Sequence, residues 1–349
     1  MSKVLNFTGN RGEWSEPYTL LYILSNPNLV FCSSNLTPAT QNQFRINSIE
    51  VPADSVGGII NFSFLGQDVI ANFGSKTSIV SQSTIQLMVK RLFSAITTAT
   101  STTFSFHSLD QLWSSLLDPE IKSVSSIKYD VRIEIADTAT KFSKKYGFSI
   151  KSNLGSATSL LNASQQTNFS YSLNSSISLP NPTPKKLGKA VKSLQMSFGG
   201  ADSQIYKSNL SQIDLDLEEI IMYSLLEYYG SNRKNKVIEI LNLVKSFNPL
   251  SYPNLNKYDD IFALFLEATA FGMVPNSTWS NSYGADGGML VVTKSGVVVC
   301  FFLPDVNSNK ACKNYLLENS YFDTASTSRH GFGSLIGGTE FKLNLLIRL

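Results

Sequence analysis

A mixed α/β fold is predicted for this chain, on three observations. Segments of helical period and segments of period-two alternation interleave through the first half of the sequence. A group of helical segments follows between Leu217 and Phe271, and the end of the chain returns to strand-like runs. With 349 residues, 42% of them hydrophobic, there is apolar material for one large core or two modest ones.

The elements follow in order. Tyr18, Leu20, Leu21 and Leu24 make a helical stripe over Ser15–Leu24. Pro17 suits the first turn of a helix and not its interior, so the helix is expected to begin near Glu13–Ser15 with Ser15 as its cap. Gln43–Ile70 reads as strands, including Phe44–Asn47 and Ile59–Phe64. Ile85, Val89, Leu92 and Ile96 mark a helix over Ser83–Ile96, and Ser108 caps a shorter one over Leu109–Leu117. Val131, Ile133 and Ile135 then alternate with Asp130, Arg132 and Glu134, with Asp137 at the end: a strand with one polar face. After a polar loop, Thr138–Lys145, the run Tyr146–Ser152 is its antiparallel partner. Asn153–Ser178 and the Pro/Lys segment Asn181–Lys192 read as loops. Helices are expected over Leu217–Tyr229, Lys234–Phe247 and Asp259–Phe271, and strands over Met289–Thr293, Val297–Leu303 and Phe341–Leu349. The expected division is 1–178 as an N-terminal core and 179–349 as a C-terminal portion packing on it. No internal repeat is seen.

Composition narrows the chemistry. A net charge of +3 permits nucleic-acid binding without arguing for it. Three widely spaced cysteines, Cys32, Cys300 and Cys312, offer neither a zinc spacing nor a disulfide framework. Two histidines, His107 and His330, make a zinc site or a His-based triad a poor reading. The start of the sequence has no signal-peptide pattern and no run is long and apolar enough for a membrane helix, so a cytoplasmic protein is expected.

The hairpin carries the strongest chemical pattern. If Asp130 lies opposite Ser149–Lys151, then Asp130, Arg132 and Glu134 share a face with Ser149 and Lys151, while Val131, Ile133, Ile135, Phe148 and Ile150 enter the core. Asp130 and Lys151 meet at one end, and Asp137 lies at the other. A carboxylate on one strand beside a lysine on its neighbour can hold a divalent ion next to an activated water. The same pattern also describes an ordinary half-exposed hairpin with salt-bridging residues.

Three collinear blocks resemble the HpaII-type restriction endonucleases. The first is Asn6-Phe7-Thr8-Gly9-Asn10-Arg11-Gly12-Glu13-Trp14-Ser15-Glu16. The second is Gly147-Phe148-Ser149-Ile150-Lys151-Ser152-Asn153-Leu154-Gly155, continuing through Leu160–Ser164 and Thr167-Asn168-Phe169. The third is Ala285-Asp286-Gly287-Gly288, then Ser328-Arg329-His330-Gly331-Phe332-Gly333 and Lys342–Arg348. The resemblance implies a PD-(D/E)xK nuclease core, a mixed sheet flanked by helices, and a Mg²⁺-dependent enzyme acting on double-stranded DNA. It suggests CCGG as the site, a cognate DNA methyltransferase in the same cell, and a homodimer for cutting both strands of a palindrome. Asp130 matches the first acidic ligand and Lys151 the catalytic lysine. Ser149 stands where the superfamily has its second acidic residue, and a hydroxyl is a poor Mg²⁺ ligand. Glu13 or Glu16 on the first helix is the natural source of the missing charge, with Glu134 a second candidate. Because of Ser149, a DNA-binding protein that keeps the fold without the activity is the alternative.

Other polar segments are weighed for DNA contact. Glu13 and Glu16 also fit a plain acidic first turn, stabilised by the helix dipole. Lys185 and Lys186, with Lys189 and Lys192, are candidates for phosphate contact or a solvated charge run. Asn162, Gln165, Gln166, Thr167 and Asn168 are of types that read base edges, and Arg329 with His330 could read guanine. Asp286, among glycines, reads as a turn before a strand.

Overall fold

A computed structural model describes residues 8–53, 58–106, 129–136, 143–155, 157–231 and 234–349, without the side chains of 40–43 and 53. The expected helix at Leu109–Leu117, His107 and Asp137 lie outside the described residues. The fold is a mixed α/β arrangement, and the chain divides into two compact units, 1–158 with 283–312 and 159–282 with 313–349. The units are not consecutive in sequence, because the second half of the chain returns 283–312 to the first unit.

The first unit is built on a nine-stranded mixed sheet. Its strands are β2 (Asn28–Cys32), β3 (Pro38–Ala53), β4 (Gly58–Leu65), β5 (Asp68–Phe73), β6 (Lys76–Ser81), β8 (Val131–Ala136), β9 (Ser143–Ser152), β13 (Gly288–Val292) and β14 (Val298–Phe302). Their order is β2-β14-β13-β9-β8-β3-β4-β5-β6, and β2 also pairs with β3. The pairings therefore close a ring of six strands, which leaves those strands without a free edge. Two short strands, β1 (Thr8–Asn10) and β7 (Thr103–Ser105), pair separately.

The β8–β9 hairpin has the register expected from its alternation: Val131 faces Phe148 and Glu134 faces Lys145. β9 is longer than expected, starting at Ser143, and its other side pairs in parallel with β13, Ser149 against Met289 and Lys151 against Val291. Val131, Ile133, Phe148 and Ile150 enter the core with Leu290, Val292 and Cys300, as the period-two pattern requires.

Helix α1 (Arg11–Ser25) covers this sheet with Trp14, Leu20, Leu21 and Leu24 buried. It starts earlier than expected. Its cap is Asn10, whose side chain accepts from the Gly12 and Glu13 amides, while Glu13 reaches back to the Asn10 amide at 2.7 Å. This reciprocal capping box fixes the start four residues before Ser15. Pro17 thus sits inside the helix, where it supplies no hydrogen bond to the Glu13 carbonyl. Helix α2 (Gln82–Thr98) buries the expected Ile85, Val89, Leu92 and Ile96. All three cysteines are buried, and none forms a disulfide.

The second unit carries two small antiparallel sheets. One has β12 (Met196–Ala201), β11 (Asn168–Leu173), β17 (Glu340–Asn344) and β16 (Leu335–Ile336); the other has β10 (Ser159–Leu161), β18 (Ile347–Arg348) and β15 (Tyr321–Phe322). Its helices are α3 (Pro184–Val191), α4 (Gln204–Ile213), α5 (Leu217–Gly230), α6 (Val237–Phe247) and α7 (Asn256–Phe271). Helix α8 (Val306–Asn319) follows β14. The expected loop zones thus hold β10, β11 and α3. In α3 Pro184 occupies the first turn behind the Thr183 cap, and Leu187, Gly188 and Val191 are buried. Gly188 lets α3 approach α5: a Cβ there would lie 2.6 Å from the Tyr229 carbonyl carbon.

Candidate active site

The site grows from the open end of the β8–β9 hairpin. Continuing the register by one residue sets Asp130 opposite Ser149. The Asp130 amide donates to the Phe148 carbonyl at 2.9 Å, and the Ile150 amide donates to Asp130 Oδ2 at 2.6 Å. One carboxylate oxygen is thereby fixed by backbone. Ser149 is buried on this face, and Lys151 emerges half-buried beyond it.

Helix α1 brings the second carboxylate. The hydroxyls of Ser15 and Ser152 are hydrogen-bonded at 2.7 Å, and the Ser15 hydroxyl donates to the Arg11 carbonyl. Gly155 passes the helix start so closely that a Cβ there would lie 3.2 Å from Arg11 Cβ. Glu16, the residue after Ser15, is half-buried beside the end of β9. Burial pushes its carboxyl up to about 7, the neighbouring Asp130 carboxylate pushes the same way, Lys151 opposes both, and Glu13 adds a smaller upward push. Glu16, Asp130 and Lys151 thus lie within electrostatic reach of one another.

The other acidic candidates are placed differently. Glu13 is exposed, with its side chain used in the capping box. Glu134 lies further along β8, where the Ser143 and Ser48 hydroxyls each donate to it at 2.6 Å and hold its carboxyl below the usual range. It is not among the charges that act on Glu16. Asp286 Oδ1 accepts from the Gly147 amide at 2.8 Å, so its turn is also a brace for β9.

Among the described residues no group of three or more His, Cys, Asp or Glu side chains forms a metal cage. The donors that do converge are two hard carboxylates, Glu16 and Asp130. Mg²⁺ commonly takes one or two protein carboxylates and fills its octahedron with waters and substrate phosphate oxygens, so this donor set fits it.

A family model for the HpaII restriction endonuclease matches residues 10–349. The chain belongs to the HpaII restriction endonuclease family. The type II restriction enzyme HpaII of Haemophilus parainfluenzae is 33% identical to it over a 360-residue alignment covering 98% of each chain. No solved structure matches the chain. Membership of the HpaII family indicates a site-specific deoxyribonuclease.

In this HpaII-family chain the remaining candidates lie in the second unit. Asn162, Gln165 and Gln166 are exposed. Thr167 and Asn168 are buried, with side chains turned to internal hydrogen bonds. Asn344 Nδ2 donates to the Ser164 carbonyl at 2.8 Å and to Asn168 Oδ1 at 2.7 Å, and Asn168 Nδ2 donates to the His330 carbonyl at 2.8 Å. This network ties the 162–168 segment to the helical turn Thr327–His330, where Arg329 is exposed and His330 half-exposed. Gly333 lies against Pro184, since a Cβ there would meet its ring at 2.5 Å. The structure therefore gathers three sequence-distant polar segments, with Lys185 and Lys186 exposed at the start of α3. Lys192 is spent on Glu227 at 2.6 Å. Asn344 and Ser152 act as internal hydrogen-bond linkers, a role that leaves no periodic signal in the sequence. Their only mark was that both fall within the blocks shared with the family.

Proposed function

We propose that this protein is a Mg²⁺-dependent type II restriction endonuclease with a PD-(D/E)xK-type centre, cutting both strands of a short site in double-stranded DNA. The observation that carries this is the convergence of Glu16, Asp130 and Lys151 from one helix and two paired strands. CCGG is the proposed site, on the family resemblance. The protein acts in the cytoplasm beside a cognate DNA methyltransferase and as a homodimer; no helix among the described residues is long and apolar enough to cross a membrane.

Glu16 and Asp130 would hold the ion, and the Ile150 amide keeps the Asp130 carboxylate aimed. Mg²⁺, when bound there, supplies charge neutralisation at the scissile phosphate and the leaving oxygen. Lys151 orients the attacking water and eases its proton loss. Ser149 fills the place of the usual second acid, and Glu16 from α1 provides its charge. Glu13 serves the helix cap. In the second unit Asn162, Gln165, Gln166, Arg329 and His330 face the bases, Lys185 and Lys186 face the phosphates, and Thr167 and Asn168 hold the reading segments in place.

Incubating plasmid with the protein and Mg²⁺, then sequencing the ends, tests the reading. Discrete fragments with ends at one short sequence are expected. Duplex binding without cleavage would leave only a DNA-binding role. Lys151→Ala is expected to cut on the order of 10²–10⁴-fold more slowly or not at all, with duplex affinity in Ca²⁺ retained. Normal cutting by that variant would remove Lys151 from the mechanism.

A further inference from the structure

The start of α3 forms one wall of a cavity of about 560 Å³ within the second unit. Two lysines stand at its rim, Lys185 from α3 and Lys234 from the segment after α5. Both are exposed, and neither has an acidic partner within ion-pair distance among the described residues. The one acid in the wall, Asp323, is already neutralised: Arg348 Nε donates to one carboxylate oxygen and the Thr324 amide to the other. The ammonium charges are therefore not cancelled within the cavity. Asn235 adds an uncharged donor beside Lys234, and the Ser231 hydroxyl donates to the Tyr228 carbonyl at 3.5 Å. The floor is the stacked pair Tyr228 and Phe322, centroids 5.4 Å apart, which gives the donors a rigid backing.

Two ammonium groups and an amide around a concave space match a tetrahedral oxyanion. Pro184, in the same wall, is the residue against which Gly333 packs, so the cavity borders the segment that carries Arg329 and His330. We propose that this cavity seats a backbone phosphate of duplex DNA, with Lys185 and Lys234 as its ligands, and so sets the register at which the neighbouring side chains meet the bases. The proposal rests on the nuclease reading for its choice of DNA and adds Lys234 and the seat itself. A phosphate ligand of this kind positions the protein without reading sequence.

The test is the salt dependence of duplex binding by the full chain with Ca²⁺ in place of Mg²⁺, using one duplex with CCGG and one with the site scrambled. The variant Lys185→Ala/Lys234→Ala is expected to weaken binding to both duplexes by the same factor and to reduce the log–log salt slope by about 1. Lys185→Arg/Lys234→Arg is expected to keep both affinity and slope. An unchanged slope in the alanine variant, or a loss confined to the CCGG duplex, overturns the phosphate seat. Inorganic phosphate added at constant ionic strength is expected to weaken duplex binding by the unaltered protein and to leave that of the alanine variant unchanged. If phosphate binds the unaltered protein and not the alanine variant while duplex affinity and salt slope are the same in both, the cavity is a free-phosphate site and the DNA assignment falls. A protein that binds duplex with this lysine-dependent slope and never cuts plasmid would sink the nuclease reading and leave the seat standing.

Discussion

At the scale of single residues the division of labour between Glu13 and Glu16 decides how the site works. Both are acidic residues of the first turns of α1, and sequence alone leaves them equivalent. Asn10 separates them: once its side chain caps the helix, Glu13 is drawn back to close the capping box and Glu16 is left facing Asp130 and Lys151. With its carboxyl raised to about 7, Glu16 holds a proton over part of the neutral range. Metal needs the ionised form, so cleavage at limiting Mg²⁺ is expected to fall as pH drops through about 7, and more Mg²⁺ should move the midpoint downward. A pH–rate series at two Mg²⁺ concentrations checks this; a midpoint indifferent to Mg²⁺ would count against Glu16 as ligand. The same shift affects stability with the opposite preference. Because the folded state holds this proton above the pH where the unfolded chain releases it, the metal-free protein loses stability as pH rises from about 4.5 to 7. Glu16→Gln removes the charge and should raise the metal-free melting temperature at pH 8 while abolishing the rise on adding Mg²⁺. Glu13→Ala, which opens the capping box but leaves the Asn10 cap, should instead cost less than the ~1 kcal/mol typical of a lost cap, with cleavage retained.

At the scale of elements, what could be read from sequence was whatever is local and periodic. The β8–β9 hairpin was legible because Val131, Ile133 and Ile135 mark one face and a polar loop fixes the register, and this put Asp130 beside Lys151. Pro17 points to a start of α1 near Ser15, but the Asn10–Glu13 capping box sets it four residues earlier. Helix α3 was hidden by Pro184 and Gly188, residues that usually interrupt helices; here one opens the helix and the other admits Tyr229. The partners of β9 and β11 across 139 and 172 residues of chain are set by tertiary packing that no periodicity encodes, as in Gly147 with Asp286 and Ser170 with Lys342. Gly147 itself is required at its place, since a Cβ there would lie 2.6 Å from the Gly284 carbonyl. Gly147→Ala should therefore lever β9 away from the 284–287 turn that Asp286 anchors. A loss of about 1–3 kcal/mol is expected, the usual cost of overpacking. Because the strain falls two residues before Ser149, turnover should drop further than duplex affinity in Ca²⁺. Equal losses in both would mean that the strand's placement matters for folding alone.

At the scale of the whole molecule, the residues proposed for the chemistry and those proposed to read bases lie on different units. Glu16, Asp130 and Lys151 belong to the first, and Gln165, Gln166 and Arg329 to the second. Substitutions in the two units should then fail in different ways. Arg329→Ala is expected to lower cleavage at the preferred site relative to a site changed by one base pair, by about 1–3 kcal/mol of discrimination if it makes a bidentate contact with guanine. Lys151→Ala should slow every site alike. The ratio of rates on the two sites, measured for each variant, separates these outcomes; a ratio unchanged by Arg329→Ala would remove that residue from base reading. Each chain supplies one Glu16–Asp130–Lys151 centre, whereas a palindrome presents two scissile phosphates related by a two-fold axis. A homodimer on a single-site plasmid should therefore convert supercoiled circles to linear DNA with little nicked circle in between. A nicked form that builds up and then decays would instead mark a monomer cutting one strand at a time, and would remove the dimer without touching the catalytic centre.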